Sequence, residues 1–205
     1  PLGAGLATLP FEPEILAIRS LPNGDVVVGG AFAAIGGAPI PALARWNGST
    51  WSSLGAGLGF AGGNNPSVLS MHVAANGDLY VAGLFDTAGG VAVDSVARWA
   101  GMQWSAVVGG LGQAFLTAVT SSPTGEVYVA GQLPGSIGLQ LGQIAVRSGS
   151  SWQGIGVADG PVRELIALPG GTLVAAGRFQ TIDGQPVGCV ARWAGGVWAP
   201  FGSLG

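Results

Sequence analysis

Apolar residues in this chain of 205 residues come in short runs cut by turn-forming clusters, and the pattern recurs four times. The runs Ile15–Ser20, Val68–Val73, Leu116–Ser121 and Val162–Ala167 each lead into a glycine turn. Those turns are written Pro-Asn-Gly-Asp, Ala-Asn-Gly-Asp, Pro-Thr-Gly-Glu and Pro-Gly-Gly-Thr, with Gly24, Gly77, Gly125 and Gly171 at the third place. A second apolar run follows, such as Val26–Phe32 or Leu79–Phe85, rich in β-branched and aromatic residues. Short runs of this composition between turn residues predict strands, not helices. After a Gly-rich link (Gly36-Gly37, Gly89-Gly90) comes Ala44-Arg45-Trp46-Asn47-Gly48-Ser49-Thr50-Trp51. It recurs from Ala97 to Trp104 and from Ala191 to Trp198, with a worn copy from Ala145 to Trp152. An apolar run, a glycine turn and a second Trp predict a β-hairpin.

The distance from turn glycine to second Trp is 27 residues in every copy. A count held through four copies means one supersecondary unit used four times. Each unit predicts four strands, A to D, with D opening at the second Trp as in Trp51–Leu54. Such a unit cannot bury both faces alone and must stack on neighbours. The predicted fold is therefore all-β, a β-propeller of four four-stranded antiparallel blades spanning about 15–66, 67–115, 116–160 and 161–205. Residues 1–14 make no blade, but Pro1-Leu2-Gly3-Ala4-Gly5-Leu6 matches Ser53-Leu54-Gly55-Ala56-Gly57-Leu58. This N-terminal segment reads as the tail of a preceding blade, either cut from a longer array or packed on another subunit. Two closures are open: a four-bladed ring, or two chains completing eight blades.

The ordered string of Asn-Gly-Asp turn, Val-x-Gly-Gly-x-Phe, Gly-Gly, Ala-Arg-Trp-Asn-Gly-Ser-x-Trp and Leu-Gly-x-Gly-Leu resembles secreted bacterial propeller repeats of the kelch and galactose-oxidase central-domain types. The resemblance covers residues 15–205 and implies blade architecture and an extracellular or cell-surface location. It implies no particular activity, because such repeats occur on enzymes, lectins, adhesins and scaffolds. The third repeat departs most, with Val146 and Arg147 in place of Arg-Trp and Leu133 in place of Phe.

Composition narrows the function. Charged residues are 8% of the chain, all seven basic residues are Arg, and the net charge is −3. With no cationic face to meet phosphates, nucleic acid is not an expected partner. Mean hydropathy is +0.52, yet no apolar stretch is long enough for a spanning helix. The strands are also too short for an outer-membrane barrel. Cys189, the single cysteine, allows no internal disulfide and falls where a small buried hydrophobe is expected.

Candidate chemistry is sparse. His72 is the only histidine, so two-histidine metal sites and relays are ruled out. It holds the strand A position of Arg19, Thr120 and Ile166, which suits a structural or channel-side role. There is no Gly-x-Ser-x-Gly elbow. Gly57-x-Gly59-x-x-Gly62 precedes no helix, and the carboxylates lack a calcium-loop spacing. No cofactor or metal is expected. Asn47-Gly48-Ser49 is a formal glycosylation sequon but sits in the repeat's own turn, where turn chemistry explains it.

All seven Trp fall on the two repeat positions, which are core positions by default; Trp46, Trp99 and Trp193 are expected to be mostly buried between blades. Phe11, Phe60 and Phe115 fall on no repeat position and lie in the connections from strand D to the next strand A. Loops on a rigid scaffold are where binding concentrates. The candidate partner-binding set is therefore Phe11, Phe60, Asn64, Asn65, Phe115, Arg163 and Glu164, and no catalytic residue is expected. One further expectation concerns charge. Pairing Arg45 with Asp78, Arg98 with Glu126 and Arg192 with Asp25 across adjacent blades leaves Val146 opposite Thr172, both uncharged.

A chain of this mass exposes roughly 9,000 Å², so its 17 charged residues stand about one per 500 Å². A surface so weakly charged suits being covered by neighbours. The expected function is a non-catalytic, secreted structural module that associates with copies of itself. The alternative is a carbohydrate- or protein-binding propeller, lectin- or adhesin-like, that uses the loops between blades. A hydrolase or lyase has the least support.

Overall fold

The computed structural model describes residues 5–7, 12–61, 65–107, 111–133 and 142–202. Among these residues there is no helix, and the strands build four four-stranded antiparallel sheets with the A-B-C-D order of the chain. The first sheet is Glu14–Ser20, Val26–Ala31, Leu43–Trp46 and Trp51–Ser52; the second is Ser67–Val73, Leu79–Leu84, Val96–Trp99 and Trp104–Ala106. The third is Phe115–Ser121, Val127–Gln132, Gln143–Ser148 and Ser151–Val157; the fourth is Val162–Ala167, Leu173–Gly177, Val190–Ala194 and Val197–Pro200. Contacts divide the chain into two compact halves, Pro1–Val107 and Val108–Gly205, each with its own apolar core.

Two glycine positions explain why the units superpose. Gly24, Gly77, Gly125 and Gly171 close the A–B turn with φ of +86°, +87°, +91° and +84°, where a side chain is strained. Six places on, Gly30, Gly83, Gly131 and Gly177 lie against the A strand so closely that a Cβ would overlap the carbonyl oxygen of Glu14, Ser67, Phe115 or Pro161. Each A–B ladder shifts register there, between Ile15 and Ala17, Val68 and Ser70, Leu116 and Ala118, and Val162 and Glu164. A β-bulge relieved by glycine thus recurs at one place in all four sheets.

Register also fixes the tryptophans. Trp46 lies opposite Trp51, Trp99 opposite Trp104 and Trp193 opposite Trp198, while Arg147 takes the first place opposite Trp152. The ring centroids of Trp46–Trp51 and Trp99–Trp104 are 5.2 Å apart. Of the three first-position tryptophans, only Trp99 is buried, at 7% exposure; Trp46 and Trp193 are half-buried. Trp104 and Trp198, the second of their pairs, are buried as deeply as Trp99.

The inter-blade ion pairs expected from the sequence are not formed. Arg45 Nε lies 3.3 Å from Asp25 Oδ2, and Arg98 Nε donates to Asp78 Oδ2 at 2.7 Å, each within one sheet. The cause is register: Arg45 sits opposite Val27 and Arg98 opposite Tyr80, two residues past each acid and so on its face of the pleat. The unmatched groups are handled locally. Glu126 accepts a hydrogen bond from Tyr128 Oη at 3.0 Å, and Arg192 is exposed. Burial, and then Glu126, push the Tyr128 phenol up to about 12.

Cys189 is likewise not a buried strand residue. It is exposed in the turn before strand C, where Gln180 Nε2 lies 3.3 Å from its sulfur. Asn47 is committed inside its turn, its Oδ1 accepting from the backbone N–H of Ser49 and Thr50 at 3.0 and 2.9 Å.

Candidate functional site

The chain's most specific local chemistry lies where one sheet packs on the next. In the first half, the Trp104 indole N–H donates to the Leu54 carbonyl at 2.8 Å. Gly55 lies so close beneath the pair that a Cβ would stand 3.1 Å from Trp99 and 3.5 Å from Trp104. Val68 and Met71 of the second sheet, both at 0% exposure, close on Gly29 of the first. In the second half, the Trp198 indole donates to the Ile155 carbonyl at 2.6 Å, and Gly156 lies against the Trp198 ring. Thr117 Oγ1 also donates to the Val162 carbonyl at 2.7 Å. Leu54 and Ile155 are the same repeat position. A sheet therefore ends in a socket, and the next sheet's second Trp is latched into it. Sequence reading placed these tryptophans in the core but missed the latch, whose signal is an apolar residue followed by Gly three or four places after Trp.

The two junctions differ at the first Trp. After Trp51 the chain turns at Leu54–Gly55, and the 1% exposed Leu54 is buried in the same apolar cluster as Trp99. After Trp152 the strand continues to Val157 with a bulge at Ile155, and a cleft of about 480 Å³ lies beside Trp193. Gln143, Gln153, Gly154, Ile155, Gly196 and Asp183 line it, with Asp183 Oδ1 accepting from the Val157 N–H at 2.9 Å. An indole edged by amides and a carboxylate can hold a small polar ligand.

Phe60 is half-buried and Asn65 is exposed, while Phe115, expected in a connection, is half-buried as the first residue of the third sheet's A strand, where it pairs with Gln132. Arg163 and Glu164 are neighbours, exposed on the A strand of the fourth sheet. Phe11 and Asn64 lie outside the described residues. Phe60 belongs to the first half and Phe115 to the second. No group of three His, Cys, Asp or Glu able to hold a metal ion exists among the described residues. His72 is half-buried, and burial, then the Arg19 guanidinium, hold its pKa below the ordinary 6.5. No described helix is long and apolar enough to cross a membrane.

No family model and no curated protein matches the chain. Its likeness is to solved structures. One is the extracellular domain of a protein described as a one-component system from B. thetaiotaomicron, with a TM-score of 0.54 and 10% identity over 82% of this chain. The chain spans 21% of that structure's length, about a fifth. Another is a protein of unknown function from Dyadobacter fermentans, with a TM-score of 0.50 and 15% identity over 98% of this chain and 72% of that one. At such identities the likeness concerns the fold: an all-β array of repeated sheets.

Proposed function

We propose that this chain is a non-catalytic β-propeller module, secreted or displayed at the cell surface, that works by associating with copies of itself. Its four sheets are blades on this reading, and the ring closes either within four blades or across two chains. The observation that carries the reading is the repeated junction. The chain invests its Trp, its buried aliphatic residues and its specific hydrogen bonds in sheet-on-sheet packing, and its charged residues are few. The extracellular origin of one structural neighbour supports the location. Sedimentation velocity of the full chain over a hundredfold concentration range tests the reading: the mean mass is expected to exceed 20.2 kDa and to rise with concentration. A mass constant at that value would overturn it.

A second reading is favoured by the cleft beside Trp193. A propeller that binds a glycan or peptide would use that cleft, which lies within the second half. Trp fluorescence titrations with soluble oligosaccharides, repeated in Trp193→Phe, separate it from the first.

A further inference from the structure

We propose that the cleft beside Trp193 is a site for a neutral pyranose sugar, stacked on the indole and held at its hydroxyls by Gln153 and Asp183. The inference rests on the cleft-binding reading and names its ligand class.

Three side chains on two sheets of the second half converge on this cleft. Tyr128 lies opposite Val146, and Val146 opposite Gln153, so these three share one face of the third sheet. The Tyr128 ring meets Trp193 of the fourth sheet edge-on, with centroids 6.4 Å apart. That contact turns the shared face, and Gln153 with it, toward Trp193. The Gln153 amide makes no hydrogen bond among the described residues. Asp183 is a departure from the repeat. Gly36, Gly89 and Asp183 hold one repeat position, with φ of +61°, +59° and +50°. Glycine adopts this backbone without strain, and at Gly36 and Gly89 a Cβ would overlap the Trp51 or Trp104 ring. The fourth sheet carries a carboxylate there instead. A strained residue kept where the repeat uses glycine points to a role at that spot.

The carboxylate is also locked. The Asp183 N–H donates to the Val157 carbonyl and Asp183 Oδ1 accepts from the Val157 N–H, both at 2.9 Å. Its Oδ2 has no partner among the described residues. The walls are open, since a Cβ built on Gly154 or Gly196 meets nothing within 4 Å. This chemistry selects its ligand. A pyranose offers a face of C–H groups to the negative face of an indole. Its rim of hydroxyls both donates and accepts, which an amide matches on both counts and a carboxylate on one. No basic side chain is among the described lining residues, so an acidic sugar would face Asp183 with its own charge unpaired. An ammonium group wants several rings around it, and this cleft has one indole. A peptide strand is disfavoured at this edge. Val157 spends its N–H and C=O on Asp183, and Ile155 its C=O on Trp198.

The test is isothermal titration calorimetry of the full chain with cellotetraose, maltotetraose, mannotetraose and galactotetraose. Tetragalacturonate and tetra-alanine serve as the acidic and peptide probes. At least one neutral tetrasaccharide is expected to bind, and tetragalacturonate is not. Asp183→Gly restores the repeat's own residue, and Gln153→Ser copies Ser52 and Ser105 at the same repeat position. Each is expected to weaken binding roughly 10–100-fold, with far-UV circular dichroism confirming the fold. Should Asp183→Gly misfold, Asp183→Asn replaces it. Neutral-sugar binding that survives both substitutions lies elsewhere, and the inference falls. If only tetragalacturonate or tetra-alanine binds, and Trp193→Ala abolishes that binding, the ligand class is wrong while the cleft-binding reading stands. If no probe binds, that reading and this inference fall together.

Discussion

The junction between the first and second sheets and that between the third and fourth use the same latch, yet only the first is filled. Trp104 and Trp198 are equally buried, and each donates its indole N–H to a carbonyl at one repeat position. What differs is the backbone after the preceding D strand. At the Leu54–Gly55 turn Leu54 is buried in the same apolar cluster as Trp99, whereas the strand Ser151–Val157 bulges at Ile155 and leaves that side chain half-exposed. The latch therefore needs a carbonyl at one place and tolerates either path. The first Trp is buried where the turn is present and half-buried beside the bulged strand. Stability and cleft formation are set by separate residues within one repeat.

The comparison breaks most directly at the tryptophans. Trp99→Ala is expected to cost about 3–5 kcal/mol. Trp193→Ala is expected to cost roughly half as much, because the side chain is half-exposed beside a cleft. Urea unfolding of both variants checks this. Equal costs would mean that the cleft is closed in solution.

Two glycines on one strand sharpen it further. A Cβ on Gly156 would press into the Trp198 ring and Ile182, so Gly156→Ala is expected to destabilise by about 1–3 kcal/mol through overpacking. Gly154 has nothing within 4 Å and an ordinary φ. Gly154→Ala is therefore expected to stabilise by about 0.4–1 kcal/mol, by restricting the unfolded chain. Thermal melts of the pair should move in opposite directions.

Much of the array was legible in the sequence because it is written four times. The 27-residue spacing placed strands A to C within a residue or so of their observed bounds. What stayed hidden depends on which face of a sheet is covered. Phe201 reads as a repeat-position aromatic, yet it lies at 49% exposure. Arg45 and Arg98 were paired across repeats by matching gains and losses of charge. The pleat decides instead, by putting each Arg on the face of its own sheet's acid. Cys189 reads as a strand residue, but strand C of the fourth sheet begins one residue later, at Val190. Phe60 and Phe115 stand out by falling off the repeat, which marks difference and says nothing about proximity, and they lie in different halves.

The smallest expected effect is a pH dependence that separates the halves. His72 in the first half is held neutral by burial and by Arg19. Its unfolded form binds a proton near pH 6.5, so the unfolded state takes up more protons once the pH drops below that value. The first half's stability is therefore intact above about pH 6.5 and declines as the pH falls toward the lowered folded pKa. The matching position in the second half is Thr120 or Ile166, neither of which titrates. There the sensitive group is Asp159, whose carboxyl is held below its usual range mainly by the N–H groups of Thr181 and Gln180. Its contribution is intact above about pH 4 and is lost only in stronger acid. Hydrogen exchange read by mass spectrometry on peptides from each half should show the first half loosening between pH 7 and 5.5 while the second holds. His72→Thr, which borrows the third repeat's residue, should flatten the first-half response. A response unchanged by that substitution would place the titrating group elsewhere.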